Sequence, residues 1–208
     1  HVLSRVIDRP VTALDLCAAP GGKSTTARGV LPQGSLLICN EPIRQRAQIL
    51  SENIQKYGHP DVMVTNNYPR DFRKAGLLFD LIVADVPCSG EGMFRKDAGA
   101  IAEWSRQNVE NCYRLQREII EDIWPCLRPG GILVYSTCTF NEQENEDNIA
   151  WIRGLGADVL DIDISEEWNI TGALKGEDSL YRFIPGRSRS EGLCMAVLRK
   201  SDDTVLAE

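Results

Sequence analysis

Short apolar runs alternate with longer segments of helical periodicity along most of the chain. Runs without polar alternation are typical of strands that are covered on both faces, as in a parallel sheet with crossover helices. The pattern therefore predicts an α/β protein with a mainly parallel sheet. We place its first five strands at Ala13–Leu16, Leu36–Cys39, Val62–Thr65, Leu81–Ala84 and Ile132–Tyr135.

Helix start and stop signals lie between these strands. A preceding proline and a following glycine bound a predicted helix over Ile43–Tyr57, and a longer helix is predicted within Glu103–Trp124. Asn141 is suited to cap another helix that runs to about Leu155. Glu144, three residues after Asn141, completes the sequence pattern of a capping box.

Two further apolar runs follow, Val159–Ile164 and Leu193–Leu198. The polar stretch between them is too long for a tight hairpin, so we expect two neighbouring strands joined by a long loop. No repeat, low-complexity tract or linker interrupts the sequence. We therefore expect residues 1–208 to form a single domain, and we expect that domain to be a fragment of a longer protein.

Composition excludes several classes of protein. No apolar run is long enough to span a bilayer, and the first residues lack the pattern of a signal peptide, which predicts a soluble protein of the cytoplasm. The seven cysteines include no Cys-x-x-Cys pair. An odd number without that spacing argues against a disulfide framework and against a zinc site, so we expect reduced thiols and no metal.

The net charge of −7 disfavours a nucleic-acid partner, because the Lys and Arg side chains that neutralise phosphates supply much of the affinity for nucleic acids. Many basic residues nevertheless fall in or near predicted loops, where they either form a local basic face or are simply solvated. These residues are Arg70, Arg73, Lys74, Arg95, Lys96, Arg182, Arg187 and Arg189.

A turn rich in small residues links the first strand to a helix. It comprises Cys17, Ala18, Ala19, Pro20, Gly21, Gly22 and Lys23. Small side chains allow a ligand to approach the backbone, and the N-terminus of the next helix offers free N–H donors, as at the nucleotide sites of open α/β sheets. A tight turn that binds no ligand is the alternative.

A phosphate-binding P-loop is a competing interpretation, because Gly22-Lys23-Ser24 matches the end of that motif. The motif requires an earlier glycine at the position that Cys17 occupies. In this interpretation the run Leu81–Asp85 would be the strand that holds magnesium in a nucleotide hydrolase. Both interpretations place a nucleotide-like ligand at the turn.

Polar residues at two later strand ends fit a nucleoside. Glu41 follows the second strand at about the spacing at which dinucleotide folds bind ribose hydroxyls. Asn66 and Asn67 follow the third strand, where their amides could hydrogen-bond an adenine edge. A surface glutamate before a helix and two asparagines that form a turn would explain the same residues.

Two cysteines stand at neighbouring strand ends. Asp85 and Cys88 follow the fourth strand, and Cys138 follows the fifth. Because parallel strands end at the same edge of a sheet, we expect these side chains to converge on the crevice beside the glycine turn. A buried cysteine is usually inert packing, but two at adjacent strand ends indicate chemistry. A catalytic thiol needs help to ionise, and we expect the helix start at Asn141 and the cation of Lys23 to provide it.

These motifs together resemble those of the Nol/Nop/Sun family of RNA (cytosine-5) methyltransferases, in particular its bacterial ribosomal-RNA branch. The matching segments are Leu14–Lys23, Asp85–Gly92, Tyr135–Thr139 and Arg182–Pro185. The resemblance implies a class I S-adenosylmethionine-dependent methyltransferase (Rossmann-like) fold, with seven strands, mainly parallel, and an antiparallel edge.

The resemblance also implies how the cofactor S-adenosylmethionine would be bound. Cys17–Lys23 would wrap its methionine part, and Glu41 would hold its ribose. Asn67 would lie near the adenine, where the family commonly has an acid, and Asp85 completes this set.

The same resemblance implies a covalent reaction. Cys138 would attack carbon 6 of a cytosine in RNA, which makes carbon 5 nucleophilic enough to take the methyl group. Asp85 and Lys23 would hold the polar edge of the base, and Cys88 would assist release of the methylated product.

The identity of the RNA depends on the resemblance alone. Ribosomal RNA is expected and transfer RNA is the alternative, while a nucleotide hydrolase and a catalytically silent RNA-binding module stay open. Family members often have a histidine and then a Gly-Glu-Gly where this sequence has Gly186 and Ser190-Glu191-Gly192. The acidic balance is explained if segments flanking this chain supply the basic surface.

Overall fold

The computed structural model describes residues 1–202 and shows one eight-stranded sheet flanked by helices. The strands are β1 (Thr12–Asp15), β2 (Leu36–Asn40), β3 (Val62–Thr65), β4 (Phe79–Asp85), β5 (Leu127–Thr137), β6 (Ala157–Val159), β7 (Tyr181–Phe183) and β8 (Leu193–Lys200). Their order is β3-β2-β1-β4-β5-β8-β6, and β7 also pairs with β8. β1 to β5 pair in parallel, whereas β8 is antiparallel to β5, β6 and β7. The predicted fold class, a mainly parallel sheet with an antiparallel edge, is confirmed.

Helices cover both faces of this sheet. They are α1 (Val2–Val6), α2 (Gly22–Val30), α3 (Arg44–Tyr57), α4 (Pro69–Lys74), α5 (Ala98–Glu103), α6 (Arg106–Ile123) and α7 (Asn148–Gly154). The helices predicted after β2 and before β5 are confirmed as α3 and α6, whereas the short α1, α4 and α5 escaped prediction. Within residues 1–202, no helix is long and apolar enough to cross a membrane.

The apolar runs of the strands build two cores because successive side chains of a strand point to opposite faces of the sheet. Leu81 packs with α1, α2 and α3, while its neighbour Ile82 packs with α4, α6 and α7. Both side chains are almost fully buried. Burial on both faces explains why these strands lack an alternation of polar and apolar residues.

The fifth strand begins earlier than its apolar run. β5 starts at Leu127, opposite Phe79, and a shift in register between this pair and Leu81 accommodates the Pro-Gly-Gly segment inside the strand. Gly130 has a φ of 71°, and a side chain on Gly131 would lie 2.8 Å from the carbonyl oxygen of Arg128. The glycines that predict a break thus form a bulge within the strand.

The strand predicted at Val159–Ile164 is only partly correct. β6 ends at Val159, and after the Leu160 N–H donates to the Val197 carbonyl the chain leaves the sheet. β7, which was not predicted, pairs with one end of β8, while β6 pairs with the other end. Two short strands therefore share one position beside β8, so the eight strands occupy the seven positions that the resemblance implies.

The predicted helix after β5 begins irregularly. Asn141 does accept the backbone N–H of Glu144, at 2.9 Å, as its capping role requires. The reciprocal half of the capping box is absent among the described residues, because the N–H of Asn141 donates to Glu91 instead. A π-helical turn over Gln143–Asp147 precedes α7.

A buried ion pair ties β7 to this turn. The guanidinium of Arg182 lies 2.6 Å from the Glu146 carboxylate, and the two side chains are 1% and 4% exposed. Arg182 also donates to the carbonyls of Phe140 and Gly172, and the second oxygen of Glu146 accepts the N–H of Leu174. The pair thereby holds the segment before β7 against the chain that follows β5.

We expect Arg182→Met to lower the free energy of unfolding by about 3–5 kcal/mol, because it leaves the Glu146 carboxylate buried without its cation. The Arg182→Met/Glu146→Leu double variant removes both charges and should lose less than the sum of the two single variants. Urea denaturation of the four proteins measures both quantities. Strictly additive losses would show that the two side chains do not act as a pair.

Candidate active site

The candidate site lies along the edge where the parallel strands end. β1, β2, β4 and β5 all present their carboxyl ends there, and the register of the sheet places Asp85 of β4 opposite Ser136 of β5. Cys88 and Cys138 follow three and two residues later along their strands. The predicted convergence of the cysteines with Asp85 is therefore a direct result of the strand order.

Asn40, a residue that the sequence analysis did not single out, joins three of the strand ends. Its side-chain nitrogen donates to the carbonyls of Leu16 and Asn67, at 3.0 and 2.9 Å. Its side-chain oxygen accepts the hydroxyl of Thr65 and the N–H of Asn67, both at 3.0 Å. These four bonds at a fully buried position fix the loops around the candidate cofactor site.

The glycine turn is held open by its backbone. The N–H of Ala18 donates to the Asn40 carbonyl at 2.8 Å, and Gly21 adopts a φ of +112°, where a side chain would be strained and would lie 3.1 Å from Leu50. Around Gly22, no described atom outside its chain neighbours and the backbone of its own helix lies within 4 Å of the place where a side chain would begin. The first turn of α2 thus faces open space, as a ligand site requires.

Glu41 has a carboxylate oxygen in need of a donor. The side chain is 1% exposed, and its Oε1 accepts the N–H of Ile43 at 3.1 Å. Its Oε2 is buried without a hydrogen bond from any described residue, and the guanidinium of Arg46 stays 3.5 Å away. Because a buried acceptor without a donor is costly, this oxygen is suited to a ligand hydroxyl.

The two asparagines after β3 differ. The side-chain nitrogen of Asn66 donates to the carbonyls of Glu41 and Pro42, at 2.7 and 3.0 Å, so this residue stabilises the turn. Asn67 is exposed, and its backbone is fixed by Asn40. Of the two, Asn67 has the side chain that is free of the turn.

Lys23 and Asp85 form an ion pair beside the glycine turn. The Lys23 Nζ lies 2.6 Å from Asp85 Oδ2, and the Ser136 hydroxyl donates to Asp85 Oδ1 at 2.8 Å. Burial lowers the pKa of Lys23, but the Asp85 carboxylate outweighs that effect and the pKa is raised. The pair therefore offers one cationic donor and one anionic acceptor side by side.

Asp15 is a buried acid at the same edge of the sheet. Burial raises the pKa of Asp15 to about 6, although the hydrogen bond from the Ser24 hydroxyl, at 2.6 Å, opposes the shift. Asp15 ends β1, so its position follows from the same strand edge. Asp15 lies within the first segment that matches the family, but no pattern in the sequence predicts a role for it.

A cavity of about 720 Å³ opens next to these acids. The glycine turn lines it with Cys17 to Pro20, Gly22 and Lys23, and Asp85 and Ser136 line its floor together with apolar side chains of β4, β5 and β8. Glu41, Asn67 and the two catalytic cysteine candidates are not part of its lining. The candidate site therefore extends beyond this cavity on both sides.

The two cysteines touch. Their sulfur atoms are 2.9 Å apart, and the backbone N–H of Cys138 donates to the sulfur of Cys88 at 3.2 Å. Both cysteines are free thiols that are partly exposed. At this distance the two sulfurs can share a hydrogen bond, in which either thiol could be the donor.

The pKa of Cys138 is lowered and that of Cys88 is raised. A hydrogen bond from the Cys88 thiol lowers the pKa of Cys138, an effect that burial and Asp85 oppose and that Lys23 reinforces. The same hydrogen bond and burial raise the pKa of Cys88. Cys138 is therefore the sulfur that ionises more readily, as a nucleophile must.

The source of this activation differs from the expectation. Lys23 contributes as expected, but the largest contribution comes from Cys88. The N–H groups of Phe140 and Asn141, at the start of the next turn, donate to the Glu91 carboxylate at 2.7 and 3.0 Å. These donors are therefore engaged by Glu91, and the helix start does not direct them at the thiol.

Two chemical alternatives can be compared with this geometry. Cys17 takes the place of the first P-loop glycine, and burial raises the pKa of its thiol, so the residue is a packed neutral side chain. In the described part of the chain, no group of three or more His, Cys, Asp or Glu side chains could hold a metal ion. The nucleophilic side chains at the site are the thiols of Cys88 and Cys138.

Known proteins resemble this chain in both sequence and structure. The family model for 16S rRNA methyltransferase RsmB/F matches residues 8–199. The Ribosomal RNA small subunit methyltransferase F of Pectobacterium atrosepticum is 34% identical over 197 residues, which are 93% of this chain and 40% of that protein.

Two solved structures share the fold. NSun6 from Pyrococcus horikoshii, crystallised with SFG, has a TM-score of 0.81 and 28% identity, over 100% of this chain and 51% of that one. PH0851 has a TM-score of 0.84 and 24% identity, over 96% of this chain and 45% of that one.

The chain thus spans about 40% of the length of the curated relative it matches, and that part includes the glycine turn and both cysteine motifs. A family match from residue 8 to residue 199 covers nearly every element of the sheet. The competing P-loop interpretation is excluded by this match. The chain belongs to the 16S rRNA methyltransferase RsmB/F family.

Proposed function

We propose that this chain is the catalytic domain of an S-adenosylmethionine-dependent RNA (cytosine-5) methyltransferase that modifies ribosomal RNA in the cytoplasm. The observation that carries the proposal is the contact between the Cys88 and Cys138 sulfurs, 2.9 Å apart, beside the Lys23–Asp85 ion pair. A relative named for the small ribosomal subunit RNA supports the choice of RNA.

The residues present fit S-adenosylmethionine. The Glu41 oxygen that lacks a hydrogen bond suits a ribose hydroxyl, and the open space at Gly22 leaves room for the amino-acid end of the cofactor. Asn67 can donate and accept at an adenine edge. The related NSun6 structure contains SFG, an analogue of this cofactor. When bound, S-adenosylmethionine supplies the methyl group.

Cys138 serves as the nucleophile in this proposal. Its thiolate forms a bond to carbon 6 of cytosine, and the electron pair of the C5–C6 double bond moves into the ring, so that carbon 5 becomes nucleophilic. The hydrogen bond from Cys88 favours the thiolate before the attack. In this proposal Cys88 is the hydrogen-bond donor of the pair, and Cys138 is the acceptor that attacks the base.

Lys23 and Asp85 bind the base. Cytosine presents an acceptor at O2 and a donor at its exocyclic amine, which match the ammonium and the carboxylate of this pair. Ser136 orients the carboxylate by donating to its other oxygen. The pair therefore favours a pyrimidine that presents both an acceptor and a donor to it.

Cys88 serves in product release. After carbon 5 is methylated, loss of its proton and breakage of the S–C6 bond restore the aromatic base and return Cys138 as a thiolate. While Cys138 is bonded to carbon it no longer draws on the proton of Cys88, so the largest cause of the raised pKa of Cys88 is removed. Cys88 can then lose its thiol proton to solvent and, as the thiolate, take the proton from carbon 5.

The RNA substrate must present its base outside a stack to reach this edge of the sheet. Bisulfite mapping of ribosomal and transfer RNA from cells with and without the gene distinguishes the two substrates. A cytosine that loses its mark in transfer RNA alone would contradict the ribosomal assignment.

We expect Cys88→Ala to trap a covalent complex between the intact protein and its substrate RNA, because attack by Cys138 still occurs while release is blocked. Denaturing gels reveal the complex as a slower band. The band should be lost in the Cys88→Ala/Cys138→Ala variant, and its persistence there would refute the role of Cys138.

The Cys88→Ala variant also tests how the Cys88 thiol affects the pKa of Cys138. Removal of the Cys88 thiol removes the largest cause of the lowered pKa of Cys138, so that pKa should rise. Initial modification of Cys138 by iodoacetamide should therefore require a higher pH in Cys88→Ala than in the wild type. An unchanged pH midpoint would contradict the assignment of Cys88 as the donor.

We expect Glu41→Ala to weaken S-adenosylmethionine binding by about 1.5–3 kcal/mol, the range for a hydrogen bond to a charged group. Titration calorimetry measures the loss, and Glu52→Ala, an exposed glutamate of α3, is the matched control. Titration with ATP and magnesium should give no heat. Equal affinities of the two variants would exclude Glu41 from the cofactor site.

A further inference from the structure

Two carboxylates join the loops that carry the cysteines. The Cys88 loop (residues 86–92) contains Glu91, whose Oε2 accepts the N–H groups of Phe140 and Asn141, at 2.7 and 3.0 Å. The next residue, Gly92, donates its N–H to the carbonyl of Cys138 at 2.8 Å. The Cys138 loop (residues 138–142) is thus held by three bonds from one short segment.

Glu144 acts in the opposite direction. It follows the Cys138 loop and is fully buried, and its carboxylate accepts the N–H and the hydroxyl of Ser89, the residue after Cys88. Gln116 and Asn141 donate to the same carboxylate, at 2.8 and 2.6 Å. Each loop is therefore bound by a carboxylate that the other side supplies.

The backbone of the two loops is closely packed at Gly92. A side chain on Gly92 would lie 2.8 Å from the Cys138 carbonyl oxygen and 3.1 Å from the Cα of Gly192. Hydrogen bonds from backbone N–H groups to a carboxylate are short and strong. A shorter side chain at position 91 would therefore shift the loop that carries the Cys138 sulfur.

Glu91 differs from Glu144 in its exposure. Glu91 is partly exposed, and its Oε1 accepts the indole N–H of Trp104 at 3.1 Å, in addition to a longer contact with the Asn141 side chain. A glutamate at the mouth of the site can be altered without opening a cavity in the core. It is therefore the carboxylate whose role can be tested by substitution.

We propose that Glu91 is a positioning residue for Cys138: by accepting the Phe140 and Asn141 N–H groups it sets the contact between the two cysteine sulfurs. The role of Cys138 as nucleophile is taken from the proposed function. Glu91 contacts two backbone donors and the side chains of Trp104 and Asn141, so it acts through the loop.

A positional role and a purely electrostatic role predict opposite results. If Glu91 acted only through its charge, removal of that charge would make the Cys138 thiolate easier to form. If Glu91 acts by position, a shortened side chain should weaken the hydrogen bond from Cys88 and make the thiolate harder to form. The size of the side chain and its charge can be varied separately.

The variants Glu91→Asp and Glu91→Gln make this separation. Aspartate keeps the charge and loses reach, whereas glutamine keeps the reach and one oxygen acceptor but loses the charge. Both are made in the Trp104→Phe background, because the indole N–H of Trp104 would otherwise face the amide nitrogen of glutamine. Trp104→Phe alone is the reference protein.

Two measurements on the intact protein test the proposal. The pH midpoint of iodoacetamide modification at Cys138, followed by mass spectrometry of its peptide, should rise in Glu91→Asp and stay at the reference value in Glu91→Gln. For methylation of RNA, kcat should fall about 10- to 100-fold in Glu91→Asp, as expected for a misplaced reacting group, with little change in KM. Urea denaturation checks that each variant is folded.

The proposal is overturned if Glu91→Asp matches the reference in both measurements. It is also overturned if Glu91→Gln lowers the midpoint while Glu91→Asp leaves it unchanged, which would show a charge effect, or if both variants lose activity equally. A reference protein without methylation activity would refute the proposed function instead. The thiol titration needs no RNA and would still decide the role of Glu91.

Discussion

The parallel register of β4 with β5 is the constraint on which the site depends. Because Asp85 lies directly opposite Ser136, the two loops that carry the cysteines leave the sheet at the same level. Cys88 and Cys138 then need only a few residues to meet, and their sulfurs come within 2.9 Å. A slip of one residue in this pairing would send the side chains of one strand to the other face and separate the acid from its hydroxyl partner.

Buried polar groups convert this coarse alignment into a defined geometry. Asn40 makes four hydrogen bonds that join the ends of β1, β2 and β3, and Glu144 accepts from three different residues. Such groups cost free energy when they lack partners, so an arrangement in which all are satisfied excludes nearby alternatives. Two buried side-chain atoms of the described residues lack a hydrogen bond, Arg182 Nε and Glu41 Oε2, and the Glu41 oxygen lies where a ligand is expected.

The sequence was sufficient for those features that depend on local pattern and on topology. The apolar strands before β6 and the meeting of Cys88 with Cys138 follow from burial on both faces and from parallel ends. Long-range partners could not be predicted. Glu91 lies 49 residues from Phe140, and no local periodicity reveals that their hydrogen bond exists. The same holds for β7, which is three residues long and is defined by its pairing with β8 and by a bridge between Arg182 and Thr171.

In the proposed reaction, the contact between the two cysteine sulfurs makes the attack step and the release step interdependent. The Cys88 sulfur, whose hydrogen bond lowers the pKa of Cys138, is also the sulfur that would take the proton of carbon 5 in the release step. Substitution of Cys88 would therefore alter both the attack step and the release step of the proposed reaction, and a loss of activity could not be divided between the two. In kinetic terms the sulfurs are a single non-additive unit, for which only the double-variant comparison has a defined meaning.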